Sequence, residues 1–454
     1  MRGMKKERDK MKRMIACILL MLLTVLMPAC SSGWGQQANA PTYVPQGSLL
    51  PETYPDAGTS DSLFDPVTDC DNRYINLEGN IAELDGMLIW SHFNDYLHYY
   101  DKETGDTGVL CAKPECMHDE KPGNTECLAY TGGSHRANSV SYYCGQIYWV
   151  GGYRQNGSYE QNALYRMNPD SSGKELLFSF NPPDGYAPQE YMIHRGRLYL
   201  RCVTNRVTDG VPGMSLAILS TPIEKKDFRM DYETVVPDRN AWSNIIRFIG
   251  DNVYFAYTYD ADGEDGYVTK VIRHDINTGE NEEILSDDAL TEPLRSFWIE
   301  PGGTMIFTQY GYDPEASIWR SDNGEQLRPI AKHHDEDGRF RAQFVSDGVI
   351  IGSDGASPGD QVNREIWMRD FEGKTLFKGL LTTDFLKGTP YEGQNRFGAV
   401  YLGNKESIFW IPSFKNPDYG KTPAEDRNTY FLICYRLTEN GLVEEPLIMV
   451  HRGR

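Results

Sequence analysis

The chain has 454 residues, of which 45 are Lys or Arg and 65 are Asp or Glu, so its formal net charge at pH 7 is −20. This acidic balance argues against nucleic acid as a partner, because phosphates are bound by basic surfaces. Aromatic residues make up 12% of the chain and include 28 Tyr, which excludes an intrinsically disordered protein. The length is sufficient for one large domain or several smaller ones.

The N-terminus has the features of an export signal. Residues 2–13 are rich in Lys and Arg, and residues 14–27 are apolar and uncharged, a run too short to span a bilayer comfortably. The run ends at Met27-Pro28-Ala29-Cys30, which resembles the lipobox of bacterial lipoproteins. That resemblance implies cleavage before Cys30 and attachment of acyl chains to it. An ordinary signal peptide and an uncleaved anchor are the alternatives.

Three regions follow from this interpretation: a signal peptide over 1–29, a lipidated Cys30 with a flexible stalk over 30–74, and a folded domain over 75–450. The stalk is rich in Gly, Pro, Ser and Gln and has no apolar periodicity. Because two acyl chains hold a protein stably on a bilayer, we expect the domain at the bacterial cell membrane, lipid-anchored on the extracytoplasmic side.

Beyond residue 75 the chain repeats a unit of about 50 residues. Each unit has an apolar strand, a tight turn with Gly, Asn or Asp, a second strand, a polar loop, a third strand, another such turn and a fourth strand. The predicted second strands are Met87–Trp90, Ile147–Val150, Leu198–Leu200, Val253–Ala256, Met305–Thr308, Val349–Ile351 and Ile408–Ile411. The unit near residue 220 lacks the second Gly turn and is degenerate.

Four short antiparallel strands per unit predict an all-β fold, a single β-propeller with seven four-stranded blades. Six or eight blades are compatible with a miscounted end unit, and a pair of β-sandwiches is the alternative fold. The pattern resembles bacterial surface lipoproteins whose propellers are similar to those of TolB and the low-density-lipoprotein receptor. Ile147-Tyr148-Trp149-Val150 is similar in part to the YWTD repeat of that receptor. The resemblance implies a fold and a location and brings no known catalytic residues.

Three cysteines and a histidine cluster in an insertion between the first two units, residues 111–135. They are Cys111, Cys116, His118 and Cys127. Three thiolates and one imidazole form a tetrahedral zinc set, although this spacing is not that of a standard zinc ribbon. Outside the cytoplasm a disulfide joining Cys127 to Cys111 or Cys116 is the competing interpretation, and free thiols are a third. We expect a structural role, and apart from the zinc alternative the sequence indicates no cofactor.

Propeller geometry sorts the connections onto two faces. Turns between first and second strands, and between third and fourth strands, lie on one face, named here the turn face. Connections between second and third strands, and between blades, lie on the other, the loop face. The loop face has the long connections, where binding residues usually lie. The candidate ligand-binding residues there, chosen because aromatic rings stack on sugars or peptides and Arg pairs with carboxylates, are Tyr153, Arg154, Tyr257, Tyr259, Tyr310, Tyr312, Phe414 and Tyr419.

The sequence has no HExxH, P-loop or CxxCH motif. We therefore expect a monomeric, non-enzymatic binding or scaffold protein that presents its loop face to a saccharide, a peptide or a cell-envelope protein. The alternative is a glycan-active hydrolase or lyase that uses carboxylates in the axial channel of the propeller. The sequence identifies neither the ligand nor a catalytic residue.

Overall fold

A computed structural model describes most of the chain after residue 63. The described residues are 64–75, 80–91, 96–116, 118, 126–132, 139–155, 158–208, 211–237, 242–260, 266–310, 318–332, 334–335, 338–353, 364–394, 397–415, 428–439 and 441–451. The predicted signal peptide, Cys30 and most of the predicted stalk lie outside them. Within the described ranges, no helix is long and apolar enough to cross a membrane.

The strands form seven four-stranded antiparallel sheets, each from four consecutive strands. Blades 1 to 4 comprise β1 (Asn80–Leu84), β2 (Met87–Ser91), β3 (His98–Asp101), β4 (Thr107–Val109); β5 (Ser141–Tyr143), β6 (Gln146–Gln155), β7 (Ser158–Met167), β8 (Glu175–Phe180); β9 (Ala187–His194), β10 (Arg197–Thr208), β11 (Val211–Pro222), β12 (Arg229–Pro237); β13 (Trp242–Ile249), β14 (Asn252–Asp260), β15 (Tyr267–Asp275), β16 (Asn281–Leu290).

Blades 5 to 7 comprise β17 (Leu294–Ile299), β18 (Thr304–Gln309), β19 (Ile318–Asp322), β20 (Arg328–Ala331); β23 (Arg341–Ser346), β24 (Val349–Ser353), β25 (Arg364–Asp370), β26 (Thr375–Leu381); β27 (Phe397–Gly403), β28 (Ser407–Lys415), β29 (Asn428–Thr438), β30 (Gly441–His451). A small hairpin of β21 (His334–Asp335) and β22 (Gly338–Arg339) lies between blades 5 and 6. Three 3₁₀ turns cover Asn72–Tyr74, Pro183–Gly185 and Asp384–Leu386. The predicted all-β fold with seven four-stranded blades is confirmed, and all seven predicted second strands lie in the second strand of a blade.

Tight turns join the first and second strands of each blade. At Arg195-Gly196 both residues have positive φ, 45° and 75°, and at Asp347-Gly348 the angles are 52° and 77°. Two successive residues with positive φ are typical of the hairpin turns that match the twist of the flanking strands. These turns explain why the X-Gly pairs of the sequence mark the strand order reliably.

The hydrophobic core lies between neighbouring blades, which approach one another most closely at their first strands. Trp149 of β6 and Ile89 of β2 belong to one fully buried cluster shared by blades 1 and 2. The ring closes in the same way, because Trp90 of β2 and Leu432 of β29 share a cluster between blades 1 and 7. Since every blade uses consecutive strands, side-chain packing closes the ring without exchange of a strand between the chain ends.

Two connections predicted as long loops are strands in the structure. Residues 151–162 continue the β6–β7 hairpin, and residues 204–214 continue the β10–β11 hairpin, with paired strand residues almost to their tips. The predicted strands end too early because these extensions are mostly polar and show no apolar strand pattern. The loop face therefore carries protruding hairpins in blades 2 and 3.

Candidate functional site

The Cys/His cluster lies in the connection from β4 to β5. The ligand atoms of Cys111, Cys116, His118 and Cys127 all lie within 4.8 Å of one another, and all three cysteines are free thiols. Cys111 follows the end of β4, while Cys127 precedes Tyr130, which is bridged to Tyr96 of blade 1. The chain thus folds back on blade 1 and brings the four side chains together. This cluster could hold a metal ion.

Hydrogen bonds polarise the two buried thiols of this cluster in opposite directions. The Cys127 thiol donates to the Cys111 sulfur, and together with His118 this bond holds the pKa of Cys111 well below its usual value. The same bond and burial raise the pKa of Cys127. Cys127 is fully buried, and its sulfur lies 3.7 Å from Nδ1 of His118. Cys111 is therefore the natural first thiolate of the set.

Lys174 of blade 2 reaches the cluster from the side. Its ammonium donates to the carbonyl oxygen of Tyr130 at 2.6 Å and to that of Cys127 at 3.3 Å. The Nζ atom also lies 5.6 Å from the ring of Trp149 and 5.8 Å from the ring of Tyr165. Burial lowers the pKa of Lys174 to about 8. A positive charge thus lies beside the thiols, and the carbonyl oxygens of Cys127 and Tyr130 hold it there.

A second feature is the capping segment, residues 64–75, which crosses the turn face. The carbonyl oxygens of Val67 and Thr68 accept the N–H groups of Cys144 in blade 2 and Arg195 in blade 3, each at 2.8 Å. Further along, the segment also contacts blades 1, 4, 6 and 7. The predicted boundary at residue 75 is therefore too late, because the last part of the predicted stalk, from residue 64, packs on the propeller.

Buried charges fix the middle of the capping segment. Asp69 accepts a hydrogen bond from Arg195 at 2.7 Å, and Arg195 also pairs with Asp251. The Cys70 N–H donates to Nδ1 of His194 at 3.0 Å, so Nε2 carries the proton and donates to the Gly250 carbonyl at 2.8 Å. Burial lowers the pKa of His194 to about 4. The neutral imidazole thus joins the segment to blades 3 and 4.

A cavity of about 820 Å³ is bounded by the capping segment and the first strands of blades 1 to 3. Two of its acidic side chains are paired with cations here: Asp71 with Arg73, and Glu83 with both Arg73 and Lys102. Burial alone raises the pKa of Glu83, but the hydrogen bonds from Lys102 and Tyr74 bring this pKa below its usual value. A carboxylate held in this way accepts hydrogen bonds and is a poor proton donor.

Two of the predicted ligand-binding residues are core residues in the structure. Tyr257 is 3% exposed and packs on Phe255, and Phe414 is 1% exposed and packs on Tyr391 and Phe431. Both lie in strands that extend further than predicted, β14 and β28, so their rings alternate into the space between blades. Both rings are buried and are not exposed at the loop face.

The other predicted loop-face residues are placed as follows. Tyr310 directly follows β18 and is 47% exposed, and Tyr259 lies half-buried near the end of β14, stacked on Tyr257 at 6.2 Å. The side chains of Tyr153 and Arg154 near the end of β6, and the whole of Tyr312 and Tyr419, lie outside the described residues. Ligand binding on this face stays a prediction.

The capping segment is the feature that the sequence prediction missed. Asp65 accepts the N–H of Val67, and Asp71 accepts the N–H of Arg73. Such Asx turns, formed by two of the three Asp residues of the segment, are a local signal of order. This signal could have placed the start of the folded region near residue 65.

No protein-family model matches the chain, and no curated protein sequence matches it. Among solved structures, polysaccharide lyase Uly1 is similar at 10% identity with a TM-score of 0.45, over 85% of this chain and 96% of that one. The β-propeller domain of the Trilobed protease from Pyrococcus furiosus is similar at 10% identity with a TM-score of 0.42, over 82% and 97%. An oligogalacturonate lyase in complex with manganese is similar at 10% identity with a TM-score of 0.39, over 68% and 77%. Likeness at this level says nothing of activity. The fold and the cluster define this chain as a seven-bladed β-propeller with a capped turn face and a Cys/His insertion.

Proposed function

We propose that this protein is a lipid-anchored, extracytoplasmic β-propeller of the bacterial cell membrane that binds a saccharide, peptide or envelope protein at its loop face without catalysis. The lipobox-like sequence at Cys30 supports the anchor. The observation that carries the choice of face is the capping segment, since residues 64–75 enter the propeller on the turn face. Residues 64–75 therefore occupy that face, and the loop face is left for a partner.

The state of the cavity acids supports binding over catalysis. Glycoside cleavage by paired carboxyl groups needs one that stays protonated near neutral pH. Glu83 is held ionised by Lys102 and Arg73, and Glu190 accepts from Arg201 at 2.7 Å. Burial also raises the pKa of the Cys70 thiol, which keeps this cavity residue from acting as a thiolate nucleophile.

The second candidate is the glycan-active hydrolase or lyase. The observation that favours it is the position of Glu83 and Glu190, which both line the cavity. Their cation partners would have to release them before either could take part in proton transfer. This requirement makes the enzyme the weaker of the two proposals.

A ligand panel tests the function. The mature chain is applied to arrays of oligosaccharides, polysaccharides and peptides, and the same compounds are followed for product release. We expect saturable binding without turnover, weakened by Tyr310→Ala on the loop face and unchanged by Lys405→Ala, an exposed turn-face control. Turnover that Glu83→Gln or Glu190→Gln abolishes would overturn the proposal in favour of the enzyme.

As cofactor we propose a structural metal ion at the Cys/His cluster. The convergence of four ligand atoms supports this part of the proposal. Such an ion would order the connection between blades 1 and 2, which has few apolar residues of its own to bury.

A further inference from the structure

We infer that the ion at the Cys/His cluster is zinc in a closed site with three sulfur ligands and one nitrogen ligand, and that Lys174 balances the charge of this site. The inference rests on the structural metal proposed above and adds the identity of the ion and its charge partner. The four zinc ligands are Cys111, Cys116, His118 and Cys127.

The donor atoms select zinc. Magnesium and calcium prefer oxygen ligands, whereas thiolate and imidazole in a tetrahedral set suit zinc. A tetrahedral zinc with bonds of about 2.3 Å to sulfur places neighbouring ligand atoms about 3.7 Å apart. The Cys127 sulfur and Nδ1 of His118 already lie 3.7 Å apart, and all four ligand atoms lie within 4.8 Å. Four protein ligands leave no open position, so the site is structural.

Backbone N–H groups lie beside the two buried sulfurs and can orient them as metal ligands. The N–H groups of Lys113 and Leu128 donate to the Cys111 sulfur, and the N–H of Ala129 donates to the Cys127 sulfur. Such outer-shell donors orient metal ligands. Free buried thiols that pack as apolar groups have no need of these donors.

Lys174 balances the net charge of the zinc site. Zinc with three thiolates and a neutral imidazole carries one net negative charge, which is costly in a partly buried position. Two basic side chains are fixed beside it: Lys174 through the carbonyl oxygens of Cys127 and Tyr130, and Lys113 through the carbonyl oxygen of Glu126. The Lys113 ammonium also has the Glu126 carboxylate 3.9 Å away, whereas, among the described residues, the Lys174 ammonium hydrogen-bonds only to carbonyl oxygens. The same ammonium lies over Trp149, so the site is tied to the core of blade 2.

Zinc also accounts for more of the cluster than a disulfide does. A disulfide between Cys127 and either other thiol leaves the third thiol and the imidazole of His118 without a role. His118 has a φ of 46°, a left-handed conformation that a residue other than glycine adopts at a cost in energy. This conformation turns His118 toward the sulfurs, so metal coordination accounts for it.

Metal content and thiol state of the full exported chain test the ion. The protein is purified without chelator, its metals are measured by mass spectrometry, and its thiols are alkylated before and after denaturation. We expect one zinc per chain and three reduced, protected thiols at positions 111, 116 and 127. Cobalt exchanged for zinc should give the visible absorption of a tetrahedral thiolate site. A disulfide to Cys127 with no zinc would overturn both the structural metal and this inference.

Variants test the role of Lys174 separately. Cys127→Ser should lose stoichiometric zinc, while Cys434→Ser, at a buried thiol of blade 7, should keep it. Lys174→Met should weaken zinc affinity about 10- to 100-fold, as loss of an outer-shell partner does, and Lys174→Arg should recover most of it. The matched control is Lys378→Met, because Lys378 lies 4.3 Å over Trp367 in blade 6. Unchanged affinity in Lys174→Met would reject the charge partner and leave the zinc site standing.

Discussion

The capping segment and the Cys/His insertion are two additions to the repeat, and they are held by opposite means. The capping segment makes ion pairs and hydrogen bonds with residues far along the chain, such as Arg195, 126 residues from Asp69. The insertion gathers its four ligand atoms from within residues 111–127. One segment depends on the finished ring of blades, whereas the other depends on a local set of donor atoms.

This difference separates the conditions that control each segment. The capping segment depends on the protonation of His194 and on the buried charges around it. The insertion depends on the metal that its ligands bind and on the redox state of its thiols. Changes to one segment should therefore leave the other intact.

The largest effect is expected from Arg195→Met. The change leaves Asp69 buried without a cation, and removal of one partner of a buried pair costs about 3–5 kcal/mol. Urea unfolding measures the loss, and hydrogen exchange should show opening of residues 64–75 with protection at the Cys/His cluster retained. Arg273→Met is the control, because its pair with Glu282 is exposed and such pairs contribute about 0–1 kcal/mol. Equal losses in the two variants would contradict the account.

Acid should weaken the capping segment next. His194 has a pKa lowered by burial to about 4, below its unfolded value of about 6.5, so its contribution is complete above pH 6.5 and is lost as the pH falls toward 4. The full contribution is about 3 kcal/mol. Unfolding free energies measured between pH 7 and 4 should show this decline, and His194→Gln should flatten it. An identical pH profile in His194→Gln would assign the decline to other groups.

Zinc should stabilise the chain through the insertion alone. At 100 times its dissociation constant, a ligand bound only by the folded state adds about 2.7 kcal/mol. We expect this gain in the native sequence and none in Cys127→Ser, with hydrogen-exchange changes confined to the insertion and its contacts in blades 1 and 2. Loss of protection in residues 64–75 on zinc removal would show that the two segments are coupled.

Asn72→Ala should have the smallest effect of the four. The Asn72 amide donates to the Phe248 carbonyl at 2.6 Å and accepts the Phe248 N–H at 3.0 Å, in the manner of a strand residue. Leaving these backbone groups without partners costs about 2 kcal/mol. Thermal unfolding measures this loss of stability, which should be smaller in Asn72→Asp because that variant keeps the hydrogen-bond acceptor. A larger loss of stability in Asn72→Ala than in Arg195→Met would contradict the smaller contribution assigned to Asn72.

The sequence predicts the blades and the Cys/His cluster because their signals are local. A turn such as Asp347-Gly348 is encoded by adjacent residues, and Cys111 to Cys127 span one connection. The capping segment is not predictable in the same way, since Asn72 and Phe248 are 176 residues apart and neither residue type is unusual.

The loop-face residues show a second limit of sequence prediction. The sequence predicts Tyr257 and Phe414 outside the strands because the predicted second strands end at Ala256 and Ile411, but β14 and β28 extend past these ends. Once a strand continues, its side chains alternate between the two faces of the blade, and both faces pack against neighbouring blades. The two rings and the adjacent Thr258 and Ser413 are therefore all buried. Whether each ring is buried therefore depends on the length of its strand. That length depends on pairing across the hairpin, which the sequence of one strand does not show.

Labelling of intact cells tests which face of the propeller is turned toward the membrane. A bulky membrane-impermeant maleimide is applied to Tyr310→Cys on the loop face and Lys405→Cys on the turn face, with the unsubstituted protein as background and the Cys30→Ala form as the unanchored reference. The account predicts that the loop-face cysteine labels on cells as fast as in the purified protein, while the turn-face cysteine is slowed on cells and Cys30→Ala fails to be retained at the membrane. Faster labelling of the turn face than of the loop face, or normal membrane retention of Cys30→Ala, would contradict it.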